Sequence, residues 1–319
     1  MERGEESDAR TVAVCVCTFK RPVQLARLLD SLNRMLRPST TIFVVVDNDG
    51  QDPQVRQLVD SFRDVCGARV EYVIERIPGI SAARNTAFAT ARSLGARTIA
   101  SLDDDEQASP NWLMRLLESQ EATGAAVVGG PVRPVFLENG AILNRYAGLW
   151  SLGKGLLNGR VYVCCTCNCL IDLSAAAILG EQPFSLEFGL TGGEDSVFFR
   201  QLFFAGVAMA WAEEAVVYDE ITGPRASKSW MRRRWYRYGN AGVKSERAAP
   251  DPRDSSPLVK TMLLSVRLCI YPLLNHQAIG SPFFWLLESD RIRGRWASHF
   301  GIGFAQYDRT EAAIPKVCR

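Results

Sequence analysis

Histidine is nearly absent: the 319-residue chain has two, His276 and His299. Glycine is missing where nucleotide enzymes most often place it. The first apolar, β-branched run, 11–17 (TVAVCVC), is followed by Thr18-Phe19-Lys20-Arg21-Pro22. A dinucleotide-binding dehydrogenase needs Gly-x-Gly-x-x-Gly there, because its backbone must approach a pyrophosphate. A phosphate-loop ATPase needs Gly-x-x-x-x-Gly-Lys-Ser/Thr, and no segment of the chain supplies it. A sugar-phosphate nucleotidylyltransferase would carry a glycine-rich basic loop at the same place. Charge of one sign is lacking too: a formal net charge of +2 gives no global pull toward nucleic acid. The N-terminal residues Met1-Glu2-Arg3-Gly4-Glu5-Glu6 have no apolar core, so no secretory leader is expected. There are no internal repeats and no low-complexity segment.

The nine cysteines are odd in number, and several lie in apolar strand-like runs. Reduced thiols are therefore expected. The cluster Cys164-Cys165-Thr166-Cys167-Asn168-Cys169 invites a zinc reading. Structural zinc sites use two spaced ligand pairs, and no second pair exists, so these thiols read as small apolar strand residues.

What the chain does have is alternation. Strands are predicted at 11–17, 41–46, 70–74 and 97–102. Helices are predicted from Pro22 (Leu25, Leu28, Leu29 and Leu32 at helical spacing), over 53–65, 81–94 and 110–120. This pattern predicts an α/β fold with a mostly parallel central sheet and helices on both faces. Ligands of such sheets bind outside the carboxyl ends of the strands. Thr18, Asp47 and the acidic run Asp103-Asp104-Asp105-Glu106 all fall at those ends, so three strands aim polar groups at one crevice.

Four consecutive acids repel one another and suit a hard divalent cation, Mg²⁺ or Mn²⁺, that keeps positions open for phosphate oxygens. A second acidic signal, Gly192-Gly193-Glu194-Asp195, opens a helix predicted over 196–205. Between the two, 125–180 is β-rich and irregular, with strands expected at 127–132 and 161–170. Short strands at 207–211 and 215–218 close this half. Residues 1–10 are expected to be disordered. The catalytic region is expected over 11–224, with a nucleotide-binding half (11–120) and an acceptor half (121–224). Region 225–319 reads as a basic, then apolar, helical extension. Over 225–247, eight basic residues, interleaved with Trp230, Trp235, Tyr236 and Tyr238, face one acid, Glu246. Segment 268–287 has the length of a membrane span but is interrupted by Pro272, Gly280 and Pro282. An interfacial hairpin on an anionic membrane is expected, the alternative being a helical pair packed on the catalytic region.

Cys17-Thr18-Phe19-Lys20-Arg21-Pro22, Val45-Val46-Asp47-Asn48-Asp49, Ala83-Arg84-Asn85, Leu102-Asp103-Asp104-Asp105-Glu106 and Gly192-Gly193-Glu194-Asp195 occur in an order that resembles family 2 glycosyltransferases of the GT-A fold. The segments DNDG, ISAARN, LDDDE, GPVRP, TCN and GGED are similar to bacterial exopolysaccharide glucosyltransferases of the succinoglycan type. The resemblance spans about 11–220 and implies an inverting, metal-dependent hexosyltransferase using Mg²⁺ or Mn²⁺. Its donor would be a UDP-sugar, UDP-glucose by the closer likeness. Its acceptor would be a lipid-linked oligosaccharide or other glycan, at the inner face of the cell membrane, with no nucleic acid partner. Thr18, Arg21, Asp47, Asn48, Arg84, Asn85, Asp103 and Asp104 would contact nucleotide or donor. Asp105 and Asp103 would form the Asp-x-Asp metal element. Many relatives carry a His after the late strand; Tyr218-Asp219-Glu220 stands there, so either Asp219 substitutes as an oxygen ligand or that contact is absent. Asp195 would be the base, Glu194 an acceptor- or donor-side partner, and Arg225, Arg234 and Trp235 the phosphate or acceptor contacts. The processive Gln-x-x-Arg-Trp signature lacks its Gln at Met231-Arg232-Arg233-Arg234-Trp235, which implies one sugar per encounter. Two other readings stand beside this one: a nucleotidylyltransferase, and a non-enzymatic module binding anionic lipid through 225–247.

Overall fold

The computed structural model describes residues 11–137, 144–274 and 282–304. The expected disorder of 1–10 and the apex of the expected hairpin lie outside the described residues.

The first half follows the alternating pattern. Strand β1 (Val12–Thr18) leads to α1 (Pro22–Asn33), β2 (Thr41–Asp47) to α2 (Pro53–Cys66), and β3 (Arg69–Ile74) to α3 (Ile80–Ser93). Then β4 (Thr98–Asp103) and the short β5 (Glu106–Ala108) precede α4 (Trp112–Thr123). Pro22 and Pro53 sit in first turns, where a missing N–H is harmless. The Asp52 side chain caps α2 at the Gln54 amide, 2.9 Å away, and Gly67 ends it in the left-handed conformation.

Seven strands form the main sheet in the order β11-β6-β10-β4-β1-β2-β3. Here β6 is Val127–Gly129, β10 Asn168–Asp172 and β11 Met209–Trp211. Strands β1 to β4 are parallel, β10 runs antiparallel between β4 and β6, and β11 is parallel to β6. Alternate residues of β1 serve two cores. Val12, Val14 and Val16 meet α1, α2 and α4, while Ala13 and Cys15 face α3 and α6 (Glu194–Phe204). Helices thus cover both faces, as the near-continuous apolar strands require.

Two expected strands are divided. The run 127–132 splits at Gly130-Pro131: β6 stays in the main sheet, while β7 (Val132–Phe136) enters a three-stranded sheet, β5-β12-β7, with β12 at Val217–Ile221. Asn168 holds this fork. Its Nδ2 donates to the carbonyls of Pro131 (3.0 Å) and Ala215 (2.7 Å), and its Oδ1 accepts the Trp112 indole N–H (2.8 Å). The run 161–170 also breaks. β9 (Arg160–Tyr162) pairs with β8 (Gly155–Leu157), and a loop over 163–167 precedes β10. Cys165 and Cys167 are joined there as a disulfide, which corrects the expectation of reduced thiols for that pair; Cys15, Cys17, Cys66, Cys164, Cys169 and Cys269 are free. A four-residue α5 (Leu173–Ala176) follows β10.

The C-terminal region contains α7 (Lys228–Ala248), α8 (Pro257–Leu274) and α9 (Pro282–His299). α7 and α9 cross at two glycines. A Cβ on Gly239 would lie 1.8 Å from the Arg291 carbonyl, and one on Gly294 would lie 1.9 Å from the Tyr236 carbonyl. A third core, with Trp150, Ile221, Met231, Phe283 and Leu287, ties these helices to β12. Among the described residues no helix is long and apolar enough to cross a membrane.

Candidate active site

Sheet register sets the crevice. Thr18 lies opposite Asp47 across β1–β2, and Cys17 opposite Asp103 across β1–β4. The three strand ends named from the sequence are therefore level. Asp47 is fully buried. Its Oδ1 accepts the Asp49 amide at 2.9 Å and its Oδ2 the Tyr72 hydroxyl at 2.7 Å. Tyr72 was missed from sequence; it faces the strand end only through the β2–β3 pairing. Asn48 binds the carbonyls of Glu75 (3.0 Å) and Ile77 (2.7 Å) and accepts the Gly79 amide (2.9 Å), so it shapes the 75–79 loop.

The acidic run turns back on itself between β4 and β5. The Thr18 hydroxyl donates to Asp104 Oδ2 at 2.8 Å. Arg21 Nη1 donates to Asp104 Oδ1 and to Asp105 Oδ2, each at 3.0 Å. Glu106 accepts the Asp103 amide at 2.7 Å and lies opposite Asp219 of β12. Burial raises the carboxyls: Asp104 is pushed up to about 6, and Asp103 and Glu106 are also raised. Neighbouring acids add to the rise, as like charges at short range do.

The two acidic signals meet at one guanidinium. Buried Arg84 contacts Glu194 Oε1 through Nη1, and its Nη2 lies 3.6 Å from Asp103 Oδ1. Burial pushes the Glu194 carboxyl up to about 7, against the pull of Arg84. Positive-φ Gly192 and Gly193 deliver Glu194 and Asp195 to the first turn of α6, where acids favour the helix dipole. Half-buried Asp195 accepts the Ser196 amide at 2.7 Å. Asn85 is engaged elsewhere: it exchanges hydrogen bonds with the Phe184 backbone (2.8 and 2.9 Å) and pins the 184 loop.

On the far side, Arg225 donates to Asp105 Oδ2 at 2.6 Å and to both oxygens of Asp219 at 3.0 and 2.7 Å. Burial pushes the Asp219 carboxyl up to about 6 against that contact. The Arg234 guanidinium lies over Trp230 (5.1 Å) and Tyr238 (5.3 Å), and Trp235 packs on the third core. Among the described residues no group of three His, Cys, Asp or Glu is poised to hold a metal. A groove of about 320 Å³ between α8 and α9, lined by Leu264, Arg267, Phe284 and Trp285, is formed by none of these acids.

Residues 13–179 match the family model "Glycosyl transferase family 2". The chain belongs to glycosyl transferase family 2. This membership replaces the nucleotidylyltransferase and lipid-module readings. The family 2 chain is 36% identical over 230 residues to the succinoglycan biosynthesis protein ExoM of Rhizobium meliloti (strain 1021), covering 72% of each. Its fold is similar to that of a mannosyltransferase from Pyrobaculum calidifontis in complex with GDP-Man and Mn²⁺. That match has a TM-score of 0.59 at 14% identity, over 92% of this chain and 88% of the other. It is also similar to S. aureus TarS 1-349 in complex with UDP, with a TM-score of 0.52 at 13% identity, over 95% of this chain and 98% of the other. The transferase therefore has the GT-A fold and a relative in exopolysaccharide biosynthesis.

Proposed function

We propose that this transferase moves one hexose, glucose, from a UDP-sugar to a lipid-linked oligosaccharide or other glycan in cell-surface polysaccharide synthesis, inverting the anomeric carbon. The observation that carries this reading is the Arg84 bridge. It brings Asp103, of the donor-side acids, and Glu194, beside the proposed base, to one side chain. Two acidic sets separated by about ninety residues thus border one space.

In that space Asp195 would take the acceptor hydroxyl's proton as the oxygen attacks the anomeric carbon, and a positioned base contributes typically 10²–10⁴-fold. Direct displacement from the opposite face inverts configuration. Glu194 Oε2 is buried and accepts no hydrogen bond among the described residues, which suits it to a sugar hydroxyl. Asp47, Asn48 and Thr18 would wall the nucleoside, with Arg21 toward the diphosphate. The donor set fits a divalent ion that arrives with the nucleotide. Mg²⁺ is usually bound by one or two carboxylates plus substrate phosphates, and Asp105 and Asp219 share one cation contact already. When bound, Mg²⁺ or Mn²⁺ would offset charge on the leaving diphosphate.

The acceptor's lipid would lie where α8 presents an apolar face. Leu258, Val259, Met262, Leu263, Val266 and Ile270 are all exposed on one side of a helix with no acidic residue. Such a helix suits peripheral contact with the inner face of a membrane.

The test is a panel of sugar nucleotides scored for hydrolysis with Mg²⁺ or Mn²⁺, followed by Asp195→Asn. Turnover is expected to fall by about 10²–10⁴-fold while UDP affinity holds. Full turnover in Asp195→Asn removes the base assignment, and no hydrolysis of any donor removes the reading.

A further inference from the structure

Arg225 stands between the two carboxylates that suit a donor-borne cation. Its Nη1 reaches Asp105 Oδ2 at 2.6 Å, and its Nη2 reaches Asp219 Oδ2 at 2.7 Å. The guanidinium lies 5.6 Å over the Trp230 ring. Asp219 is 6% exposed, so its ionised form needs a positive partner in the ligand-free protein. Arginine's planar fork supplies that partner to both acids at once. An incoming divalent ion would need the same oxygens, and it would repel a guanidinium left in contact with them. Arg225 ends a single 3₁₀ turn, Gly223–Arg225, outside strand and helix, so releasing its side chain breaks no regular element.

We propose that Arg225 is a resident counter-cation that the divalent ion displaces, and that the released guanidinium transfers to the donor's diphosphate, coupling ion entry to nucleotide entry. The proposal rests on the reading of Asp105 and Asp219 as ligands of the ion. A divalent ion arriving alone breaks two charge-assisted contacts and strands Arg225 beside a double positive charge. Arriving with a nucleoside diphosphate, it brings phosphate oxygens that accept the same fork, so the contacts are exchanged rather than lost. Coupling of this kind is reciprocal: the factor by which nucleotide tightens the ion equals the factor by which the ion tightens nucleotide. Arg21 donates to the same Asp105 Oδ2 at 3.0 Å and to Asp104 Oδ1 at 3.0 Å, so Asp104 can keep it when that oxygen turns to the ion.

The experiment is Mn²⁺ titration followed by the electron paramagnetic resonance signal of free Mn²⁺, with and without UDP, on the full chain. Wild type is expected to bind Mn²⁺ at least about tenfold tighter with UDP than without it, within the usual 5–150-fold span of coupling. Arg225→Gln should bind Mn²⁺ alone about tenfold tighter than wild type, and UDP should then add about threefold or less. Arg225→Lys keeps one charge but spans one carboxylate, and it carries the test if Arg225→Gln does not fold. Its nucleotide-free affinity should rise by about threefold or more. Equal nucleotide-free affinity in wild type and the folded variants overturns the exchange while leaving Asp105 and Asp219 as ligands. Absence of Mn²⁺ binding even with UDP overturns both the exchange and the ligand reading.

Discussion

Replacing Arg84 by Met would remove the only cation in contact with Glu194 among the described residues. The Glu194 side chain is 4% exposed, and its Oε2 already lacks a partner there. Breaking a buried ion pair from one side costs about 3–5 kcal/mol. Glu194 can avoid part of that cost by staying protonated, and this makes the effect depend on pH. Its ordinary value is 4.5 and its folded value is about 7 with Arg84 present. A raised carboxyl contributes stability fully below its unfolded value, and that contribution is lost as pH rises through the folded value. In wild type the loss is complete soon above pH 7. Without Arg84 the folded value climbs further, so stability keeps falling by about 1.4 kcal/mol per pH unit. Urea unfolding followed by tryptophan fluorescence at pH 6, 7 and 8 would read this. Arg84→Met should be destabilised at every pH, and by about 1 kcal/mol more at pH 8 than at pH 7, because wild type itself still loses a few tenths over that unit. Arg84→Met/Glu194→Gln should abolish that extra slope and recover part of the loss. A loss independent of pH, with no recovery in the double variant, would refute the buried pair as the source.

Two further outcomes test the C-terminal helices. Gly294→Ala drives a methyl into the Tyr236 backbone, which cannot rotate away, and overpacking at the upper end of the usual range, about 3 kcal/mol, is expected. Gly242→Ala, whose Cβ would meet only the Arg295 guanidinium at 3.6 Å, should instead gain up to about 1 kcal/mol of helix propensity; thermal melts that shift both variants equally would contradict the crossing. On α8, Leu263→Asp/Val266→Asp replaces side chains that are 61% and 54% exposed, so the fold should hold. Sedimentation with vesicles containing anionic lipid should decline several-fold, and unchanged sedimentation would remove the membrane face.

The strand ends were legible because they depend on local patterning. Apolar β-branched runs gave β1 to β4, parallel pairing follows from the helices between them, and Thr18, Asp47 and Asp103 then had to share one edge. Side-chain pairs across the chain were not legible. Arg84 with Glu194 and Arg225 with Asp105 are separated by 110 and 120 residues. Each residue was named as a contact for ligand, and nothing local showed that each would meet another protein charge first. The same holds for Asn85, whose place in an Ala-rich helix gave no sign of the Phe184 backbone. The split at Gly130-Pro131 had its signal in the proline, which ends the ladder. The sheet exchange at that point depends on Asn168, and small neighbours in sequence do not reveal it.

The two-glycine crossing of α7 and α9 reaches further than the C-terminal region. Gly193, one residue before Glu194, packs so closely on α7 that an added Cβ would come within 3.1 Å of Ala241. Two residues earlier on α7, Gly239 abuts α9. The helices after residue 227 therefore form a lever whose short arm ends at the turn carrying Glu194 and the proposed base, Asp195. A load on the outer helices would tilt that turn, and a chain trimmed at 248 would lose the brace behind it.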